Sequence, residues 1–272
     1  MTEKFDLILP IGQACSCSQS LRTAGLQFAS FPWDWIATRD IRNCIETDCS
    51  CGKDFMRKED LVRLEPRGEH PMDFYRNTRL DICHNHDFPR GVPLDEAFPA
   101  VAAKYERRFA RQDRLIRGAR KPVLLLRIDS PVVSRTDSPI IGPTSLDECR
   151  YARRRMAESF QGKVFETCLF SLDRDRPFED RIEEEVEPGF LHVAFDYSDK
   201  TPGAAESSVN QKEIAEILRR HFSVRDYRTH EEKKAFAAKV RAKKYAKAGV
   251  STALGYRLYK LKAQLLKLLG RR

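Results

Sequence analysis

No run in this 272-residue chain approaches the roughly 20 consecutive apolar residues that a membrane-spanning helix requires. Nor does an export signal precede the first apolar stretch, since Met1-Thr2-Glu3-Lys4 leads directly into a strand-length run. A cytoplasmic location is therefore expected, with the eight cysteines as thiols rather than a disulfide framework. Repeated Cys-x2-Cys spacing is also missing. The pairs Cys15/Cys17 and Cys49/Cys51 are Cys-x-Cys, and the ligand-type residues of Cys83-His84-Asn85-His86-Asp87 alternate between faces if the segment is a strand. These features predict neither a metal nor a cofactor. No internal repeat is visible, and only the basic C-terminal tail is compositionally biased.

That bias is large. Residues 225–272 hold 15 Lys or Arg against 3 acids, a net of +12, whereas the whole chain is +9, so residues 1–224 carry about −3. An electrostatic footprint confined to one appendage argues against nucleic acid as the partner of the main body. The composition divides the chain into a body, 1–224, and a basic helical tail, 225–272. In the tail, Leu254, Leu258, Leu261, Leu265 and Leu268 step by four and three residues, with Lys260, Lys262, Lys267, Arg271 and Arg272 around them. Such a stripe suits either an anionic membrane surface or docking on the chain's own body.

Within the body, strand-like and helical segments alternate. Leu7–Pro10, Val123–Ile128, Val164–Ser171 and Phe190–Phe195 read as buried strands, and Arg181–Val186 as a short edge strand. Thr78–His84 reads as a strand that ends before Asn85-His86-Asp87-Phe88-Pro89. Residues 54–75 carry no clear periodicity. Helices are predicted over Ser18–Leu26, Arg39–Asp48, Leu94–Arg117, Asn210–Phe222 and Lys233–Ala248. A further one follows Ser145, whose hydroxyl suits an N-cap before Asp147 and Glu148. The expected fold class is α/β: three layers, a mainly parallel sheet with helices on both faces, plus a C-terminal helical extension.

The most informative segment is Leu7-Ile8-Leu9-Pro10-Ile11-Gly12-Gln13-Ala14-Cys15, an apolar strand running through a glycine turn to a cysteine at a helix start. Backbone N–H groups and the positive helix end favour the thiolate there. A small buried thiol satisfies the same pattern. Gly12 allows close backbone approach. The compact turn Phe31-Pro32-Trp33-Asp34-Trp35 and the element His86-Asp87-Phe88 follow in order.

Together with Leu21-Arg22, Tyr105-Glu106-Arg107-Arg108 and Leu126-Arg127, these elements resemble the bacterial papain-like cysteine peptidase family, long described as a domain of unknown function. The likeness spans roughly the first two-thirds of the chain. Pro10-Ile11 departs from the family's usual Ser-Leu, and the basic tail lies outside. The resemblance implies Cys15 as nucleophile and His86 as base, with Asp34 or Asp87 orienting the imidazole, for acyl transfer or hydrolysis on an acyl, peptide or glycan substrate. It also implies a place in bacterial surface-polysaccharide metabolism, the tail holding the enzyme at the inner membrane. Gly12, Trp33, Trp35 and Arg127 would meet the substrate, Arg127 because it ends a central strand. The strand-first order fits a doubly wound or esterase-like sheet better than papain.

Each residue has a second reading. Asp34 would fix its turn by accepting backbone N–H groups, Asp87 would cap a turn, and Arg127 would pair with Asp129. His86 would bond locally before Pro89, and Cys17 would sit on a helix face rather than resolve Cys15. A non-catalytic module of the same fold, binding a sugar-phosphate or nucleotide-sugar, is the alternative function.

Overall fold

The computed structural model describes residues 4–38, 40–65, 68, 70–131, 143–204, 208–249, 251, 252, 254, 257 and 259–261. The chain divides into two compact units, Met1–Arg225 and Asp226–Arg272.

The first unit is α/β. Its main sheet has five strands in the order β1 (Leu7–Pro10), β6 (Val123–Ile128), β7 (Phe165–Leu172), β9 (Phe190–Phe195) and β8 (Ile182–Glu187). The first four are parallel and β8 is an antiparallel edge. All six residues of β6 are buried, as its unbroken apolar run requires of a central parallel strand. Pro10 ends β1 at the sheet edge, the place a residue without an N–H tolerates. The opposite edge, β8, carries Glu183, Glu184, Glu185 and Glu187, charges that discourage edge-to-edge pairing.

Alternate side chains of β6 serve opposite layers. Leu124, Leu126 and Ile128 pack with Cys17 and Leu21 of α1 (Ser16–Ala24) and with Ile214, Ile217 and Leu218 of α5 (Gln211–His221). The other face belongs to α4 (Leu146–Ser159), which packs on β7 and on α2 (Ile41–Cys49). The helix start predicted from the Ser145 cap is present, and Asn210 caps its helix as well. Ser145 Oγ accepts from Glu148 N at 3.2 Å while Glu148 Oε2 accepts from Ser145 N at 2.8 Å, and Asn210 Oδ1 accepts from Lys212 N at 3.2 Å.

Between α1 and β6 the chain builds a second, antiparallel sheet in the order β2 (Ile36–Thr38), β5 (Ile82–Pro89), β4 (Met72–Asn77) and β3 (Leu61–Arg63). Its core of Trp33, Phe55, Tyr75, Ile82 and Phe88 is covered by Val101, Tyr105 and Phe109 of α3 (Leu94–Gly118). This sheet corrects the expectation for residues 78–89. Asn77 Oδ1 accepts from Arg79 N at 3.1 Å and Leu80 N at 2.9 Å, making a turn out of 78–81. The strand therefore starts later and carries His86-Asp87-Phe88 inside it.

In the second unit, α6 (His230–Lys247) begins with a reciprocal cap: Glu232 Oε2 accepts from Thr229 N at 2.8 Å and Thr229 Oγ1 from Glu232 N at 3.1 Å. Leu254 and Leu261 of the tail stripe are 68% and 54% exposed. Leu258, Leu265 and Leu268 lie outside the described residues. Among the described residues no helix is long and apolar enough to cross a membrane.

Candidate active site

Three strands meet beneath Cys15. The turn after β1 passes so close to β2 and β6 that a Cβ on Gly12 would collide with Thr38 Oγ1 and lie 3.2 Å from Arg127 Nη1; its φ of +80° also favours glycine. Arg127 is buried below it. Nη1 donates to Ile11 O at 2.9 Å and Thr38 Oγ1 at 3.2 Å, and Nε donates to Thr144 Oγ1 at 3.0 Å. Thr144 in turn donates to Asp129 from Oγ1 at 2.6 Å and from N at 2.9 Å, and Asp129 lies 3.9 Å from Arg127. Burial pushes the Asp129 carboxyl up, opposed by the Arg127 charge and the Thr144 donors. Arg127 is thus a strut beneath the site, and its pairing with Asp129 is the local reading that the sequence also allowed.

Cys15 stands at the start of α1, half-buried, its carbonyl accepting Gln19 N at 3.0 Å. Burial raises its thiol pKa, partly offset by a backbone hydrogen bond. Cys17 instead points at the sheet, donating to Gly12 O at 3.2 Å and Leu126 O at 3.6 Å; burial pushes it up to about 12. It occupies a helix face and is no resolving thiol.

Asp34 fastens the aromatic turn onto α1. Fully buried, it accepts from Ser18 Oγ (2.8 Å), Gln27 Nε2 (2.9 Å), Phe31 N (3.1 Å) and Arg22 Nη2 (3.4 Å). Burial raises its pKa despite those donors. Trp33 turns into the core, donating Nε1 to Asp48 at 2.9 Å and meeting Phe55 and Phe109 edge-on. Trp35 turns outward, with the Arg22 guanidinium 4.9 Å over its ring and the His86 ring 5.4 Å away at 76°.

A bulge in β5 decides which histidine does what. The β4–β5 register slips between Asp73/Phe88 and Tyr75/His84, so Asn85, His86 and Asp87 stand against Phe74 alone. In a regular strand His84 and Asp87 would point to opposite faces; here both enter the core. His84 Nδ1 bonds Asp87 Oδ2 at 2.7 Å, Tyr105 OH donates to the same oxygen at 2.6 Å, and Lys104 pairs with Oδ1. Although burial opposes ionisation, these donors and positive charges hold Asp87 well below the carboxylate range. Asp87 therefore orients His84.

His86 is exposed, between Trp35 and the His70 ring, 6.0 Å away. Burial, with help from His70 and Lys104, lowers its pKa against the pull of Asp87, which favours the neutral imidazole. No hydrogen bond joins it to Cys15. The two are linked through one segment: α1 holds the aromatic turn by Ser18 and Arg22, and the turn meets His86 by Trp35.

Of the eight predicted residues, Cys15, Trp35 and His86 stand at the open end of this region, and Gly12 lies buried in the turn against Thr38 and Arg127. Asp34, Asp87, Trp33 and Arg127 form its buried frame, with all four side chains committed to protein partners. Sequence reasoning missed the His84–Asp87 pair and the roles of Arg22, His70 and Lys104; the only signal was the Leu21-Arg22 doublet. Among the described residues no three His, Cys, Asp or Glu side chains converge to hold a metal ion. No family model, curated protein or solved structure matches the chain.

Proposed function

We propose that this protein is a cysteine-nucleophile enzyme of acyl transfer or hydrolysis, with Cys15 as nucleophile and His86 as base. The observation that carries this reading is the position of Cys15. It follows the carboxyl end of β1, whose chain turns to α1 on one face of the sheet, while the neighbouring β6 leads to α4 on the other. That fork is where open α/β sheets bind ligands.

In the reaction His86 takes the Cys15 proton and Sγ bonds the substrate carbonyl carbon. The first N–H groups of α1, which have no acceptor within the helix, receive the oxyanion. The leaving group departs with the proton, and water or an acceptor hydroxyl then releases the acyl group from the thioester. Cys15 and His86 meet across the bound substrate, as catalytic groups apart in a free enzyme do. Arg127 and Asp34 keep the frame rigid. The substrate is an acyl ester, thioester or peptide, with a surface glycan as the acceptor.

With p-nitrophenyl acetate, a burst of nitrophenolate and an acetyl group on the Cys15 peptide are expected by mass spectrometry. Cys15→Ser should abolish the adduct, and His86→Ala should slow acylation by about 10²-fold or more. Acetylation of the exposed Cys51 instead, or equal labelling of the Cys15→Ser protein, ends this reading. The raised Cys15 pKa and the absence of a touching base favour the second reading, a sugar-phosphate or nucleotide-sugar binding module of the same fold. Ligand binding that survives Cys15→Ala, without acylation, would identify it.

The basic tail fits a peripheral site on the cytoplasmic face of the inner membrane. Four of the six exposed large hydrophobics among the described residues, Phe236, Leu254, Tyr259 and Leu261, belong to this unit, whose charge complements anionic lipid. The protein should sediment with phosphatidylglycerol vesicles but not with phosphatidylcholine ones, and Phe236→Ser/Leu254→Ser/Leu261→Ser should release it. Equal recovery with both lipids would refute the membrane role.

A further inference from the structure

Cys15 stands where two sides of α1 converge. Its φ of −65° and ψ of −10° are helical, so residues three and four further on continue its face. Ser18 and Arg22 lead to the Asp34 turn and Trp35. Gln19 and Thr23 lead the other way, to the start of α5. There Gln211 Nε2 donates to Gln19 Oε1 at 2.7 Å, and Thr23 Oγ1 donates to Gln211 Oε1 at 3.0 Å.

Between these two helix starts and the chain after β9 lies a cavity of about 530 Å³, lined by Gln19, Thr23, Asp199, Ser208, Asn210 and Gln211 among others. Its size falls within the range of about 300–1,000 Å³ that small-molecule sites occupy. The Cys15 carbonyl accepts Gln19 N at 3.0 Å, which makes Gln19 its neighbour one turn along the helix. The near wall of the cavity is therefore about 6 Å along the axis from Cys15.

The lining selects the ligand chemistry. Among the described residues Val209 is its one apolar member, so an acyl chain finds little surface there. Asp199 and Lys212 offset each other in charge, which favours neither an anion nor a cation. What remains is amide and hydroxyl, with hydrogen-bonding capacity unspent. Gln19 Nε2 and Asn210 Nδ2 donate to no acceptor among the described residues, although Gln19 Oε1 and Asn210 Oδ1 are both engaged. Asp199 accepts Thr201 N at 2.9 Å, and the Thr201 hydroxyl and amide hold its carboxyl below the usual range as an anionic acceptor. Interleaved donors and acceptors around a neutral space match the hydroxyls of a sugar, each of which donates once and accepts twice. The Gln19–Gln211–Thr23 chain fixes the amides before any ligand arrives, which lowers the cost of binding.

We propose that this cavity is the acceptor subsite of the enzyme and holds a neutral saccharide, one hydroxyl of which reaches the Cys15 thioester. The hydroxyl oxygen bonds the acyl carbon, the C–S bond breaks, and the hydroxyl proton passes through His86 to the departing thiolate. The acyl group arrives from the Trp35 side of α1. Transfer rests on the nucleophile reading above, whereas saccharide binding does not.

The test is saturation-transfer NMR on the full chain with the methyl glycosides of glucose, galactose, mannose, rhamnose and N-acetylglucosamine. Permethylated methyl glucoside, which keeps the ring but has no hydroxyl donors, is the control. At least one glycoside should bind and the control should not. Gln211→Ala and Asp199→Ala should each weaken that binding by about ten-fold or more. Gln161→Ala, on the exposed turn after α4 across the sheet, should leave it unaltered. Asp199→Ala, on a loop, serves where Gln211→Ala fails to fold. Cys15→Ser should bind the sugar as the unaltered chain does. After acetylation of the unaltered chain by p-nitrophenyl acetate, the bound glycoside should leave as its acetyl ester. Binding without transfer from an acetylated Cys15 would overturn the acceptor role. Acetylation without sugar binding would overturn the subsite and leave the nucleophile standing. Equal binding of the permethylated control, or equal weakening by Gln161→Ala, would also overturn the subsite.

Discussion

Arg127→Met is expected to destabilise the first unit by about 3–5 kcal/mol, the range for breaking a buried charge cluster from one side. Methionine fills similar space but donates nothing. Ile11 O and Thr38 Oγ1 would lose their donor, and the buried Asp129 would lose the positive charge that offsets its desolvation. These losses converge where β1, β2 and the Thr144 segment meet, so the damage should centre on the Cys15 turn. Urea denaturation at pH 7 measures the loss, and hydrogen exchange should show the amides of residues 13–18 opening first. Arg127→Lys keeps the charge without the planar fork and should fall between the two. A loss below about 1 kcal/mol for Arg127→Met would contradict the strut role.

Asp48→Asn should stabilise the protein increasingly as pH rises above about 4, with the full gain reached above about 7. Burial pushes Asp48 up to about 7, against donation from Trp33 and Gln112, and its Oδ2 is buried with no partner among the described residues. In the unfolded chain the same carboxyl ionises near 4. Between these values the folded state holds a proton that the unfolded state has released, so stability falls as pH rises from about 4 to 7. Three units correspond to about 4 kcal/mol at most, all of it charged above pH 7. Asparagine keeps the acceptor for Trp33 and cannot ionise. Melting at pH 4 should therefore show little difference, and at pH 8 a gain of about 2–4 kcal/mol. A difference independent of pH would exclude Asp48 as its source.

The main sheet was legible because burial on both faces writes itself into unbroken apolar runs. Val123–Ile128 and Phe190–Phe195 are found where their composition predicts them. A side-chain cap is equally local, which is why Ser145 marks its helix. The second sheet left no comparable trace. Two of its strands have three residues each, too short to show a period, and β5 breaks alternation at its bulge. The same bulge hid the His84–Asp87 pair, since period-two reasoning puts those residues on opposite faces.

By itself, then, the sequence determined the α/β class, the separation of a basic tail from a slightly acidic body, and the thiol that follows the first strand. These depend on neighbours along the chain or on composition. Only the tertiary structure decided which polar groups are open. Asp34, Asp87, Trp33 and Arg127 have the residue types of an active site, yet each is enclosed by partners up to 116 residues away, as Arg127 is by Ile11. Burial is set by contacts between distant segments, and it alone separates the frame from Cys15, Trp35 and His86.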